Sequence, residues 1–313
     1  MKRSFHSLLS LCLVFALVSC EKDEPSAQLI PPVQNEQQGS QEKQGIQNQD
    51  EHGEATSDGQ TGKTHIKIGI IGDSISTYDG YLPSSIDGYD GASYKSYYPK
   101  GNVNKVEKTW WFKSSALLGS DIDDICNCSW SGSYVTGNAI SEDNAAAGCS
   151  NRRIQDLSAR GFTPDIILCY ISCNDWANNI PMGTWVASDV IPETTKLETM
   201  REAYAVMLLK IRQAYPSSTV FCMTNLEDTK RDATPGWPSN NKKGISTEAW
   251  NKGISELAEQ LDCYTIDLQT CGINYDNLGK YTVDGGLHPN DAGMTLIAKK
   301  VAQSVSEVLR DKI

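Results

Sequence analysis

Ser74 and Ser76 close an apolar run, Ile68-Gly-Ile-Ile-Gly-Asp-Ser-Ile-Ser-Thr77, that stops abruptly on small and polar residues. A serine hydroxyl is a poor nucleophile near neutral pH and needs a base beside it. The chain has four histidines. His6 lies in an N-terminal apolar segment, His52 in a polar low-complexity stretch, and His65 precedes the apolar run, away from its carboxyl end. Only His288 is placed to act as a general base near neutral pH. A lone loop histidine is ordinarily a surface residue. This one sits in Asp284-Gly-Gly-Leu-His-Pro-Asn290, with a nearby carboxylate, two glycines and the helix-capping type Asn290.

These groups need elements to hold them. Ile66 to Ile71 reads as a strand buried on both faces of a parallel sheet. Asp165 to Ile171, Thr219 to Met223 and Tyr264 to Leu268 have the same character, and Ile122 to Cys128 is a fifth strand. Helical spacing falls between them. Met200, Ala203, Tyr204, Met207, Leu208 and Ile211 form one stripe, which Pro216 ends. Trp250, Ile254, Leu257 and Leu261 form a second, and Met294, Ile297, Val301, Val305 and Val308 a third. Alternating strands and helices predict an α/β fold, a three-layer α/β/α sandwich on a mainly parallel, flavodoxin-like five-stranded sheet. Ligands of such folds sit beyond the carboxyl ends of the strands, where Gly72-Asp-Ser74 falls.

Four separated blocks resemble those of the SGNH/GDSL hydrolase family: Gly72-Asp-Ser-Ile-Ser76, Asn127-Cys-Ser-Trp-Ser-Gly132, Ser172-Cys-Asn-Asp175 and Gly285-Gly-Leu-His-Pro289. Each block alone is weak; four in the family's order across most of the domain are a strong signal. The resemblance implies a serine esterase with Ser74 as nucleophile and His288 as base. It also implies an oxyanion hole formed by the backbone N–H of Ser74, the backbone N–H of Gly132 and the side-chain amide of Asn174. A glycine at position 132 lets a substrate oxygen approach bare backbone. As plain structure, Gly132 would be a turn residue and Asn174 a cap, yet both follow predicted strands on the same side of the sheet. The family sets its acid three residues before the histidine, where this chain has Gly285. Asp284, one residue further back, completes the triad if the extra glycine forms a small bulge; otherwise the site is a Ser–His dyad. Ser172 stands where the family commonly has glycine. Asp73 and Asp175 are expected to brace loops. No metal or other cofactor is implied.

Three regions are expected. Residues 1–19 read as a signal peptide: Lys2 and Arg3 precede the apolar Leu8–Val18, and Leu17-Val-Ser-Cys20 resembles a bacterial lipobox with Cys20 as the lipidated residue. The following Glu21-Lys-Asp-Glu24 resembles the surface-export signal of Bacteroidetes lipoproteins. Residues 20–63 hold no aromatic side chain and are rich in Gln, Glu, Asp, Gly and Ser, which predicts a disordered tether. Residues 64–313 form the hydrolase domain, long enough to bury its own core. The expected location is therefore lipid-anchored at the bacterial outer membrane, facing the periplasm or the cell surface. A net charge of −11 argues against a nucleic-acid partner, which demands a basic face. Export permits disulfides, but the eight cysteines after Cys20 allow about 105 complete pairings, and buried thiols or a few bridges are expected.

The substrate class is less constrained. Tyr81, Tyr89, Tyr94, Tyr97, Tyr98, Trp110 and Trp111 crowd one stretch, while Trp130 and Trp176 flank two blocks. Aromatic faces suit sugars, and they suit core packing equally. An exported hydrolase without a long apolar lid is expected to remove acetyl or other short acyl groups from a polysaccharide or a small acylated molecule. The alternatives are a catalytically silent carbohydrate-binding lipoprotein on the same fold, and a lysophospholipase or thioesterase.

Overall fold

A computed structural model describes residues 65–83, 95–141, 147–192, 195–226 and 240–310, all within the unit Gln60–Ile313. The proposed lipidation residue Cys20, and with it Tyr89 and Tyr94, lies outside the described residues. Among the described residues seven strands occur in chain order: β1 Ile68–Gly72, β2 Ile125–Asn127, β3 Gly137–Asn138, β4 Ile166–Tyr170, β5 Lys196–Leu197, β6 Thr219–Met223 and β7 Tyr264–Ile266. The helices are α1 Trp110–Leu117, α2 Asn151–Gln155, α3 Cys173–Ala177, α4 Met200–Ala214, α5 Thr247–Gln260, α6 Leu278–Tyr281 and α7 Asp291–Arg310.

Five strands pair in parallel in the order β2-β1-β4-β6-β7. Counted within this sheet alone, the order is 2-1-3-4-5, the doubly wound arrangement whose ligand crevice opens where the strand order reverses, between β1 and β4. Side chains alternate between two cores with period two. Ile68, Ile70, Ile166, Leu168, Tyr170, Phe221 and Met223 pack towards α1 and α7. Ile71, Ile167, Cys169, Val220 and Cys222 pack with α4 and α5. The chain is thus a three-layer α/β/α sandwich. The three helical stripes read from the sequence are buried faces, apart from the partly buried Val308 near the end of the third.

Two expected strands are shorter than their hydropathy implies. Ile122–Asp124 is a 3₁₀ turn because Asp121 and Asp124 cap each other's backbone, which leaves only Ile125–Asn127 for pairing. Leu268 starts another 3₁₀ turn, capped by the Asp267 carboxylate through the Gln269 N–H. The antiparallel pair β3–β5 is two residues on each side, too short for any periodic signal. All eight described cysteines are free thiols, seven of them buried and Cys263 half-buried.

Candidate active site

β1 delivers the chain to the open edge of the sheet, and its last peptide is tightly held. The Gly72 carbonyl accepts hydrogen bonds from the Trp130 N–H at 3.1 Å, the Ser133 hydroxyl at 3.3 Å and the Arg153 guanidinium at 2.8 Å. Arg153 is fully buried, and burial lowers its pKa to about 10, so it remains a cation at neutral pH. Gly72 is required here for space. A Cβ at this position would lie 2.6 Å from the Ser129 Oγ and 2.7 Å from the Ser76 Oγ.

Asp73 then caps the 3₁₀ turn Ser74–Ser76. Its carboxylate accepts the Ile75 N–H at 3.1 Å and, through its other oxygen, the Cys173 thiol at 2.9 Å. Burial pushes the Asp73 carboxyl up, against the pull of those hydrogen bonds. Ser74 occupies the first position of the turn, so its N–H has no acceptor inside the turn. The two serines differ in their partners. The Ser76 Oγ accepts the Trp110 indole N–H at 3.2 Å, while the Ser74 Oγ lies 2.8 Å from the Nε2 of His288.

The His288 loop is built around Asp284. One carboxylate oxygen accepts the backbone N–H groups of Gly286, Leu287 and His288 at 3.2, 2.9 and 3.1 Å. The other lies 2.5 Å from the Nδ1 of His288. The additional residue relative to the expected spacing is absorbed by Gly285 in the left-handed region, at φ +77°. Partial burial would push the Asp284 carboxyl up. The hydrogen bond from His288, the backbone N–H groups and the imidazole charge outweigh it and hold the carboxyl well below the usual carboxylate range. An ionised carboxylate only accepts, so Nδ1 carries the imidazole proton and Nε2 is left to accept the Ser74 hydroxyl. Asn290 caps α7 through the Gly293 N–H at 3.1 Å, which fixes the far end of the loop.

The expected oxyanion donors lie around the same strand ends. Gly132 sits in the turn after β2 at φ +80°, with nothing within 4 Å of where a Cβ would be. Glycine is present for its backbone conformation, and among the described residues no acceptor takes its N–H. Asn174 is the second residue of α3 and gives one amide hydrogen to the Ser133 carbonyl at 2.9 Å, leaving the second available. Asp175 ties the two loops together by accepting the Val135 N–H at 2.8 Å and the Thr136 hydroxyl at 2.7 Å; burial raises its pKa to about 6. Ser172 adopts φ +111° before this helix and accepts the Trp250 indole N–H at 3.1 Å. That bond holds a serine in a conformation where the family commonly has glycine.

Tyr97 was not singled out by sequence from its aromatic neighbours. Its ring stacks on the imidazole of His288 with centroids 3.5 Å apart and planes 9° apart. Lys100 Nζ covers the tyrosine ring at 4.5 Å from its centroid. The Thr77 hydroxyl anchors Tyr97 through its backbone N–H at 2.8 Å, and the Tyr98 hydroxyl donates to the Pro289 carbonyl at 2.7 Å. Trp110, Trp111 and Trp176, by contrast, are buried packing residues. Cavity size would not have found the site. A groove of about 620 Å³ lined by Asp189, Arg212 and Asp262 lies by Ser218 and Val220, at the amino end of β6, and includes none of these residues.

The family profile for GDSL-like lipase/acylhydrolase matches residues 66–238, more than half of the chain, and ends ahead of the His288 loop. Among solved structures, one designated a GDSL-like lipase from Bacteroides uniformis is 23% identical, with a TM-score of 0.52 over 78% of this chain and 96% of that one. Another so designated, from Bacteroides ovatus, is 22% identical, with a TM-score of 0.52 over 77% of this chain and 99% of that one. A Lactobacillus plantarum protein at 15% identity, with a TM-score of 0.51, covers 78% and 97%. At these identities the structures share the fold. No curated protein matches the chain. On the profile match, the chain belongs to the GDSL-like lipase/acylhydrolase family, hydrolases that act on ester bonds.

Proposed function

We propose that this chain is a serine esterase that removes short acyl groups, acetyl foremost, from carbohydrate. The observation that carries the reading is the line of contacts from the Ser74 Oγ to the His288 Nε2, at 2.8 Å, and from the His288 Nδ1 to Asp284, at 2.5 Å. In the first half-reaction the Ser74 Oγ attacks the ester carbonyl carbon while its proton passes to Nε2. The carbonyl oxygen becomes an oxyanion facing the N–H groups of Ser74 and Gly132 and the Asn174 amide. Collapse breaks the bond to the alkoxy oxygen, which takes the proton from Nε2 and leaves as the alcohol. Water then repeats the sequence on the acyl-serine, releasing the acid and restoring Ser74. Tyr97 holds the imidazole plane, and Asp284 holds its tautomer.

The acyl-length part of the reading is supported by the narrow cavity of about 20 Å³ whose walls include Ile75, Cys173 and Leu287, the chain neighbours of Ser74, Asn174 and His288. The carbohydrate part is supported by an aromatic group at the site, Tyr97 stacked on His288. The test is hydrolysis of p-nitrophenyl esters from acetate to octanoate. Turnover is expected to be highest on acetate and to fall with chain length. A maximum at octanoate would favour the lysophospholipase or thioesterase alternative, and inertness across the series would favour a binding module.

The lipobox-like Leu17-Val-Ser-Cys20 supports lipid anchoring at a bacterial outer membrane, facing the periplasm or the cell surface, with residues 20–63 as the tether. Cys20→Ser is expected to move the protein from the membrane pellet to the soluble fraction of broken cells. Retention of the variant in the pellet overturns the anchor.

A further inference from the structure

The Gly72 carbonyl, at the end of β1, is where the loops that carry the site meet. It accepts the Trp130 N–H at 3.1 Å, the Ser133 hydroxyl at 3.3 Å and the Arg153 guanidinium at 2.8 Å. Trp130 and Ser133 are the two ends of one turn, closed by the Ser133 N–H on the Trp130 carbonyl at 3.1 Å. Gly132 is the third residue of that turn, at φ +80°. The N–H assigned to the oxyanion is therefore carried by a loop clipped at both ends to Gly72. Beyond the same carbonyl the chain runs through Asp73 into the turn Ser74–Ser76. The Asn174 amide joins the frame through the Ser133 carbonyl at 2.9 Å. All three expected donors thus share one reference atom, the Gly72 oxygen.

Arg153 makes the shortest of the three contacts on that oxygen. It lies in α2, fully buried, and α2 is itself tied down. Ser150 caps it through the Arg153 N–H at 3.3 Å. From α4, Lys210 donates to the Cys149 carbonyl at 2.9 Å and to the Asn151 side chain at 2.7 Å. The Tyr215 hydroxyl donates to the Ile154 carbonyl at 2.8 Å. Taking a full charge out of water is costly, and packing a short helix on a sheet does not require one. A charged donor, however, bonds a carbonyl roughly twice as strongly as a neutral one. The guanidinium charge also pulls the Asp73 carboxyl down, against its burial. Without Arg153, the Gly72 oxygen would keep only its two longer, neutral contacts, and Asp73 would lose that compensating charge one residue before the nucleophile.

We infer that Arg153 is a positioning residue of the ester hydrolysis: it fixes the Gly72 carbonyl and, through it, the register of Ser74 with the oxyanion donors of Gly132 and Asn174. The inference rests on the esterase reading above and adds to it a residue that, being fully buried, acts only through others. It also dictates where a defect shows. Oxyanion donors tighten on the substrate oxygen as its charge develops, so slack in their frame weakens the transition state more than the bound ester. The loss therefore falls on kcat, with KM little changed.

The experiment compares Arg153→Lys, Arg153→Gln and Arg153→Met in the full chain, with Tm measured to show that each is folded at the assay temperature. The substrate is p-nitrophenyl acetate. The probe of the donor frame is methylboronic acid, whose tetrahedral adduct on Ser74 places an anionic oxygen among the donors. Arg153→Met is expected to lower kcat by about 10²–10³-fold with KM within about threefold, the loss that one displaced oxyanion donor produces. Inhibition by methylboronic acid should weaken in the same variant by about tenfold or more. Arg153→Lys keeps the cation and should restore kcat to within about tenfold of wild type, with the neutral donor of Arg153→Gln between the two. A folded Arg153→Met with kcat within about threefold of wild type overturns the inference. So do equal kcat losses in Lys and Met with methylboronic acid affinity unchanged, the mark of a purely structural role. Where Arg153→Met does not fold, Arg153→Gln carries the test, and a kcat there within about twofold of wild type overturns the inference. A wild type inert on p-nitrophenyl esters from acetate to octanoate overturns the esterase reading and this inference with it, whereas an active wild type with unmoved variants overturns this inference alone.

Discussion

Ser74→Ala is expected to lower kcat on p-nitrophenyl acetate by about 10⁴–10⁶-fold, the range seen when a serine nucleophile is removed from a site that otherwise stays assembled. Nothing nearby can substitute. Ser76, two residues on, has its hydroxyl committed to the Trp110 indole at 3.2 Å and is fully buried. Rate above background that survives the substitution would come from the oxyanion donors and from binding, worth about 10³–10⁴ over water in such sites. The fold should barely respond. The hydroxyl contributes one hydrogen bond, to His288, worth about 1 kcal/mol, or about 2–4 °C in Tm for a domain of this size. His288→Ala should cost a similar factor, and the double variant little more than either, because the two groups act as one unit. Retention of more than a tenth of wild-type kcat by Ser74→Ala, with Tm unchanged, would remove Ser74 from the mechanism.

The chemistry was legible where types were scarce. Three of the four histidines, His6, His52 and His65, come before β1, so His288 stands out by elimination as the candidate base before any geometry. β1, β4 and β6 were legible because a parallel strand covered on both faces reads as a short continuous apolar run. Position Tyr97 was not legible. Its place on the imidazole depends on the Tyr78–Tyr98 bridge and on the Thr77 hydroxyl, contacts about twenty residues apart with no periodicity. Arg153 was equally hidden, since a charged residue in a short helix normally faces solvent and this one is spent on the Gly72 carbonyl. The glycine at 72 is imposed by Ser129 and Ser76 pressing on the backbone, whereas a left-handed φ imposes the glycine at 132.

Asp284 performs two tasks, and two substitutions separate them. In Asp284→Asn one side-chain oxygen remains to accept the N–H groups of Gly286, Leu287 and His288, so the loop should keep its shape. The group facing the Nδ1 of His288 becomes an N–H donor, which drives the imidazole proton to Nε2 and turns a donor towards Ser74. A loss of about 10⁴-fold in kcat is expected, the magnitude that the wrong tautomer produces in serine hydrolases. Asp284→Ala removes the tautomer control and all three loop hydrogen bonds. It should match that loss in kcat and, unlike Asn, also lower stability by about 1–3 kcal/mol. The pH dependence of stability gives a second readout. The carboxyl of Asp284 is depressed in the folded chain, so its ionised form contributes stability above the unfolded carboxylate value of about 3.9. That contribution is lost as pH falls through the folded value. The Tm advantage of wild type over Asp284→Asn should therefore be constant near neutrality and shrink below about pH 4. If both variants turn over near the wild-type rate, the imidazole is oriented without Asp284 and the site works as a Ser–His dyad. A large loss in Ala with none in Asn would instead assign Asp284 to shaping the loop and deny it the electrostatic role, because only the alanine variant loses the three backbone contacts.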